Sequence, residues 1–225
     1  MRTGIVIALA SEAGTLPAPQ GRFLEHGHYQ VQVSGPGPLR ASAAARALLA
    51  AGCDTLLSFG VCGGLAPTLQ AGTLVIANTV HSSSGEQLRC DTQLRGELVA
   101  RLTNCHPHEI DLYGADTAVL AQADKRALHK RLQVAAVDME SAAIGHVARA
   151  HGLPFAVLRC IVDPAGFSLP SAALAGMADD GRNRPLATAA ALLRHPLQLA
   201  DLIRLAVWYG AALRGLRNAG ALLCK

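Results

Sequence analysis

Residues 134–163 read Val134-Ala135-Ala136-Val137-Asp138-Met139-Glu140-Ser141-Ala142-Ala143, then IGHVARAHG to residue 152, then Leu153-Pro154-Phe155-Ala156-Val157-Leu158-Arg159-Cys160-Ile161-Val162-Asp163. The apolar run at 134–137 predicts a short buried strand, and 141–151 has the small and apolar residues of a helix packed on a sheet. The run at 155–162 is apolar almost throughout, as a strand covered on both faces requires. Strand, helix and strand in succession predict the crossover unit of an α/β protein.

The same alternation extends in both directions. Residues 5–9 read as a first strand, and 28–34 alternate as a second. Gly35-Pro36-Gly37-Pro38 breaks the chain before an alanine-rich helix at 41–51, and 55–59 form a strand ending in Gly60-Val61-Cys62-Gly63-Gly64. A strand at 73–77, a polar stretch from 81 to 111 with no assigned element, and a helix at 123–132 lead to the opening segment. Beyond it, 164–184 read as a loop with one short helix, and two helices follow at 186–194 and 197–216, the second started by Pro196. The expected fold is α/β, a mixed, largely parallel central sheet flanked by helices, with a C-terminal helical extension. Residues 1–184 form the main domain and 185–225 an amphipathic extension of it.

Composition narrows the function. A chain of 225 residues, 51% hydrophobic and 16% charged, can bury one substantial core. Its 4% aromatic content argues against a nucleic-acid surface built on stacking rings. The net charge of +4 is concentrated in the tail, where Arg194, Arg204, Arg214, Arg217 and Lys225 face Asp201 alone. The opening MRTGIVIALASEAG is too short to span a membrane and has no signal-peptide cleavage pattern. The six cysteines follow no metal or disulfide spacing, which predicts a reducing, cytoplasmic setting. Cys105-His106-Pro107-His108 and His26-Gly27-His28 lack a four-ligand pattern, so neither a metal nor a cofactor is expected.

In α/β sheets, ligands gather beyond the carboxyl ends of strands. Four such positions carry chemistry: Glu12, the glycine group at 60–64, Met139-Glu140, and Asp163. Three are carboxylates directly following apolar runs, and buried carboxylates are costly unless paired or used. A plainer reading also exists: Asp163 before Pro164 suits a helix cap, and Glu140 suits the first turn of a helix. Gly35-Pro36-Gly37-Pro38-Leu39-Arg40 is a backbone turn near the substrate rather than a dinucleotide loop.

Gly-Val-Cys-Gly-Gly at 60–64, Val-Asp-Met-Glu-Ser-Ala-Ala at 137–143 and Leu-Pro-Phe-Ala-Val-Leu-Arg-Cys-Ile-Val-Asp at 153–163 resemble the nucleoside phosphorylase and methylthioadenosine/adenosylhomocysteine nucleosidase superfamily. The tail, Leu-Arg-His-Pro-Leu-Gln-Leu-Ala-Asp-Leu-Ile-Arg-Leu-Ala at 193–206, resembles its hopanoid-associated branch, thought to remove adenine from adenosylhopane. The resemblance implies cleavage of a purine N-ribosyl bond. Asp163 would protonate adenine N7, which requires burial to lift an aspartate from its ordinary pKa of about 3.9. Glu140 would accept hydrogen bonds from the ribose hydroxyls, and Met139 would pack against the sugar. Asp138, Gly60, Val61, Val119 and Arg159 would complete the substrate site.

The superfamily divides between water and phosphate as nucleophile. Ser58 and Val61 stand where similar phosphorylases carry an arginine and a serine for phosphate, while Glu12 matches the glutamate of the nucleosidases, orienting water. Hydrolysis is therefore expected, with Arg159 and Arg40 as the residues that keep phosphorolysis open. A methylthioadenosine/adenosylhomocysteine-type nucleosidase is a further alternative, and a catalytically silent nucleoside-lipid binder is the reading from another class. Val162 and Val119 depart from the nucleosidase serine and adenine-covering aromatic, implying weak grip on the base and reliance on a lipid part. Residues 197–217 form a basic apolar helix fit either to pack against the domain or a partner subunit or to lie at an anionic membrane surface, and the resemblance implies a homo-oligomer.

Overall fold

A computed structural model of the protein describes residues 1–24, 27–170, 173 and 198–224. In chain order the elements are β1 (Arg2–Ile7), α1 (Ala10–Ala13), β2 (Gln20–Phe23), β3 (Gly27–Val33), α2 (Pro38–Ala50), β4 (Thr55–Gly64), β5 (Leu74–Ser82) and β6 (Gln87–Arg89). They continue with α3 (Thr92–Arg101), a 3-10 turn (Thr103–Cys105), β7 (His108–Gly114), α4 (Gln122–Leu132), β8 (Ala136–Asp138), α5 (Ser141–Ala150), β9 (Phe155–Asp163) and α6 (Leu199–Leu223). The expected helix at 186–194, the start at Pro196, the boundary near 184 and most of the loop at 164–184 lie outside the described residues.

The α/β expectation holds, with a mixed sheet. Parallel pairings join β1 to β3 and β4, β4 to β9, and β7 to β5 and β8. Antiparallel pairings join β2 to β3, β4 to β8, β5 to β6, and β5 to β9. Strands β4, β8, β7, β5 and β9 therefore pair in a closed ring, with β1, β3 and β2 extending from β4. The sheet thus partly closes on itself.

β4 makes this closure. Its first half lies beside β1, through Thr55 to Ser58, and its last residues Gly63 and Gly64 lie beside β8. The glycine group does not end the strand, as the sequence implied, but continues it to Gly64. Gly60, at φ +152°, occupies a conformation reserved for glycine, and a Cβ there would collide with Arg159 and Glu12.

Two apolar layers cover the sheet. On one, Ala41, Ala45 and Leu48 of α2 and Ile144, Val147 and Ala148 of α5 cluster with Val6, Leu56 and Val157. On the other, Leu94 and Leu98 of α3 and Ala212, Leu216, Ala219 and Leu223 of α6 cluster with Ile5, Ile7, Phe59 and Leu158. Alternate residues of β9 thus enter opposite layers, which explains its unbroken hydrophobicity.

The polar stretch from 81 to 111 holds elements the sequence reading passed over. Asp91 accepts a hydrogen bond from Leu94 N and caps α3, which buries Leu94 and Leu98 one turn apart. β7 buries Ile110, Leu112 and Gly114 in strict alternation.

Candidate active site

The strand ends singled out above meet at one cavity of about 410 Å³, within the range of small-molecule sites. Glu12, Val61, Val119, Asp138, Met139, Glu140, Arg159, Val162 and Asp163 all line it. Gly60 lies beneath, its missing side chain making room for Arg159 and Glu12. Arg40 is exposed and not part of the lining, so the proposed second anion ligand is not brought to the site.

Glu12 is placed by α1. The helix is a single turn, and Glu12 reaches back to accept a hydrogen bond from Leu9 N at 3.0 Å, closing its amino end. Its other oxygen accepts from Val61 N at 3.0 Å, which joins α1 to β4. Burial pushes the carboxyl up to about 7, against the pull of Arg159 and the two N–H groups.

Glu140 stands at the start of α5. Its Oε1 accepts from Gly37 N at 2.9 Å, so the Gly-Pro-Gly-Pro turn contributes an N–H to the site. Gly37 sits at φ +98°, a left-handed conformation that leaves Pro38 free to begin α2. Burial again raises the carboxyl, Arg159 lowers it, and Asp138 raises it further.

Arg159 is the centre of this half of the site. It is 1% exposed and approaches Asp138 at 2.6 Å and Glu140 at 3.4 Å. It also donates to Ser58 Oγ at 2.7 Å and to Val61 O at 3.2 Å. Burial opposes its charge, but Asp138, Glu140 and Glu12 hold it protonated above the ordinary arginine range. Its Nε is buried without a hydrogen-bond partner among the described residues. Asp138 is occupied by Arg159 and by Ser141, whose N and Oγ both donate to it. It is thus the counter-ion of Arg159 and a tether for Ser141, the first residue of α5, more than an open substrate contact.

Across the cavity, Asp163 ends β9, 2% exposed. It meets the fully buried ammonium of Lys125 from α4. Burial lifts Asp163 to about 6, with Lys125 pulling the other way. The plain cap reading is replaced by a buried ion pair. Sequence reasoning missed Lys125, because DKRALHKR reads as a solvated helix face and nothing in its pattern marks one lysine as buried.

α6 touches both halves. Tyr209 Oη and Ser11 Oγ lie 2.6 Å apart beside Glu12, and Trp208 meets Phe167 edge-on at 4.9 Å, just beyond Asp163. Only the expectation of an amphipathic helix pointed to this segment. Its amino-terminal half exposes Leu199, Ile203 and Val207 on one stripe. No described helix is long and apolar enough to cross a membrane.

Solved structures share the fold. One is a mutant of the 5′-methylthioadenosine/S-adenosylhomocysteine nucleosidase of Helicobacter pylori with 5′-methylthioadenosine in its active site: TM-score 0.69, 17% identity, 97% of each chain covered. The Campylobacter jejuni nucleosidase of the same name gives a TM-score of 0.67 at 16% identity, covering 97% of this chain and 99% of that one. Futalosine hydrolase of Helicobacter pylori gives 0.65 at 20% identity, covering 72% of this chain and 88% of that one. The model of the phosphorylase superfamily matches residues 9–195. That span contains α1, the glycine strand, the start of α5 and the end of β9, which carry most of the cavity lining, and the chain belongs to the phosphorylase superfamily.

Proposed function

We propose that the protein hydrolyses the N-ribosyl bond of adenosylhopane, releasing adenine and leaving ribosylhopane. The observation that carries this reading is the convergence of Glu12, Glu140 and Asp163 on one cavity, each carboxylate held by its own partners. Water attacks the anomeric carbon as its bond to adenine N9 breaks. Glu12 takes the proton from water, Asp163 gives a proton to adenine N7, and Glu140 accepts hydrogen bonds from the ribose hydroxyls. Met139 packs against the sugar, and Val119 and Val162 border the base. Glu12 at about 7 is matched to a base working near neutrality.

Water is favoured over phosphate by charge. Three carboxylates share one guanidinium, and Ser58 spends its oxygen on Arg159, so a phosphate dianion would meet an acidic wall. The unpartnered Nε of Arg159 favours phosphorolysis as the second reading, since it is a donor in search of an oxygen. The lipid part of the substrate is supported by the stripe Leu199, Ile203 and Val207, with Arg204 and Trp208 beside it, which suits contact with an anionic membrane surface.

Purified protein incubated with adenosylhopane, with and without phosphate, tests the reaction. Adenine and a free reducing ribosyl product in both cases are expected. Strict phosphate dependence with a phosphorylated sugar would move the assignment to phosphorolysis, and absence of adenine in both would leave a nucleoside-lipid binder. Sedimentation with anionic liposomes tests the surface: Ile203→Ser/Val207→Ser should stay in solution while the unaltered protein pellets. A concentration-dependent dimer lost in the same variant would instead assign the stripe to a second copy of the chain.

A further inference from the structure

Lys125 is the one residue that α4 buries. Around it the helix is polar, and an alanine or leucine would fill the position without removing a charge from water. All three ammonium donors are nevertheless engaged: by Asp163 Oδ2, by Pro164 O at 3.2 Å and by Phe167 O at 2.9 Å. Lys125 does not line the cavity, whereas Asp163 does, so the lysine approaches the carboxylate from behind. That contact takes Oδ2 and leaves Oδ1 as the oxygen without a lysine partner. The two carbonyls belong to the turn that follows β9, closed by Phe167 N donating to Pro164 O at 3.0 Å.

We propose that Lys125 is a positioning residue for Asp163: it orients the carboxyl toward the cavity and stabilises the carboxylate left when the proton passes to the substrate. This rests on the reading of Asp163 as the acid. In the step, the O–H bond at Oδ1 breaks, a bond forms to the base nitrogen, and the negative charge appears on a group already facing an ammonium. The interaction strengthens as the charge develops, which is the condition for accelerating the step. Burial alone would leave Asp163 a poor acid, and the lysine offsets that. The other titratable groups near the pair are Cys62 of β4, kept as a thiol by burial, and Arg159, occupied by Asp138 and Glu140.

The test compares Lys125→Met, Lys125→Gln and Lys125→Arg by the pH profile of adenine release from adenosylhopane and by carboxyl carbon NMR titration of Asp163. Removing the cation should raise the Asp163 titration by about one to three pH units, the usual effect of a close opposite charge. The alkaline fall in rate should move to higher pH with it. Arginine should restore both. A methionine variant slower at every pH, with the Asp163 titration and alkaline limb unmoved, would overturn the proposal in favour of a purely structural tether. Should the methionine variant not fold, the glutamine and arginine pair carries the same decision. The titration needs no turnover, so failure of the hydrolase reading, seen as unaltered protein releasing no adenine or Asp163→Asn keeping full activity, is separate from failure of the lysine's role.

Discussion

On one side of the cavity a single guanidinium, Arg159, meets Asp138 and Glu140 and lies beside Glu12; on the other a single ammonium, Lys125, meets Asp163 alone. The difference is one of stoichiometry. One cation among three acids leaves an excess of negative charge; Glu12, lifted to about 7 chiefly by burial with a smaller push from Glu140, is the carboxyl drawn toward its protonated form. Such a wall suits a reaction in which positive charge develops on the sugar. One cation facing one acid is balanced, which suits a group that must give up a proton and recover it. Neither cation can be understood as a stabilising salt bridge, because buried pairs contribute little net stability over well-packed apolar residues.

Removing each partner breaks the comparison in a different way. Arg159→Met leaves three buried acids without their cation, and the expected loss is about 3–5 kcal/mol of stability or more, read as a large fall in Tm. Glu12→Gln should keep the fold while lowering kcat by roughly 10²- to 10⁴-fold, the usual range for a lost general base. The pH profile sharpens the contrast. On the proposed roles Glu12 acts when ionised and Asp163 when protonated; with Glu12 at about 7 and Asp163 at about 6 the two required forms coexist in only a small fraction of molecules, so the rate should follow a narrow bell, highest between about 6 and 7 and falling on both sides. A profile lacking one limb would remove one of the two from the chemistry, and one flat from about 5 to about 8 would remove both. The smallest effect is expected on the helix that borders both sides: Ile203→Ser should change stability by no more than about 0.5 kcal/mol. Leu216→Ala, in the buried half of α6, should cost about 2–5 kcal/mol, measured by denaturant unfolding.

Much of the site was legible because its residues follow apolar strands. Val134 to Val137 and Phe155 to Val162 are bounded so clearly that Glu140 and Asp163 could be placed at their ends without coordinates. Glu12 was found the same way. What was not legible is pairing. Arg159 lies inside an apolar run, where its charge was visible, but the closure of β4 around it decides which acids it meets, and no local pattern encodes that. Lys125 was hidden for the opposite reason, sitting among charged neighbours that share its helix but not its burial. The fold showed a similar limit. The elements in 81–111 carry fair signals, Leu94 and Leu98 one turn apart and Ile110 and Leu112 in alternation, but their charged neighbours masked them. The ring of strands depends on contacts between segments far apart in sequence.

The carboxyl-terminal half of α6 has a further consequence, for how the protein is made. Ala212, Leu216, Ala219 and Leu223 complete the apolar layer over Ile5, Ile7 and Phe59, and Leu223 O accepts a hydrogen bond from Leu24 N at 2.7 Å. During synthesis the first strands emerge long before the residues that cover them. One face of the growing sheet therefore stays partly uncovered until residues 212–223 leave the ribosome.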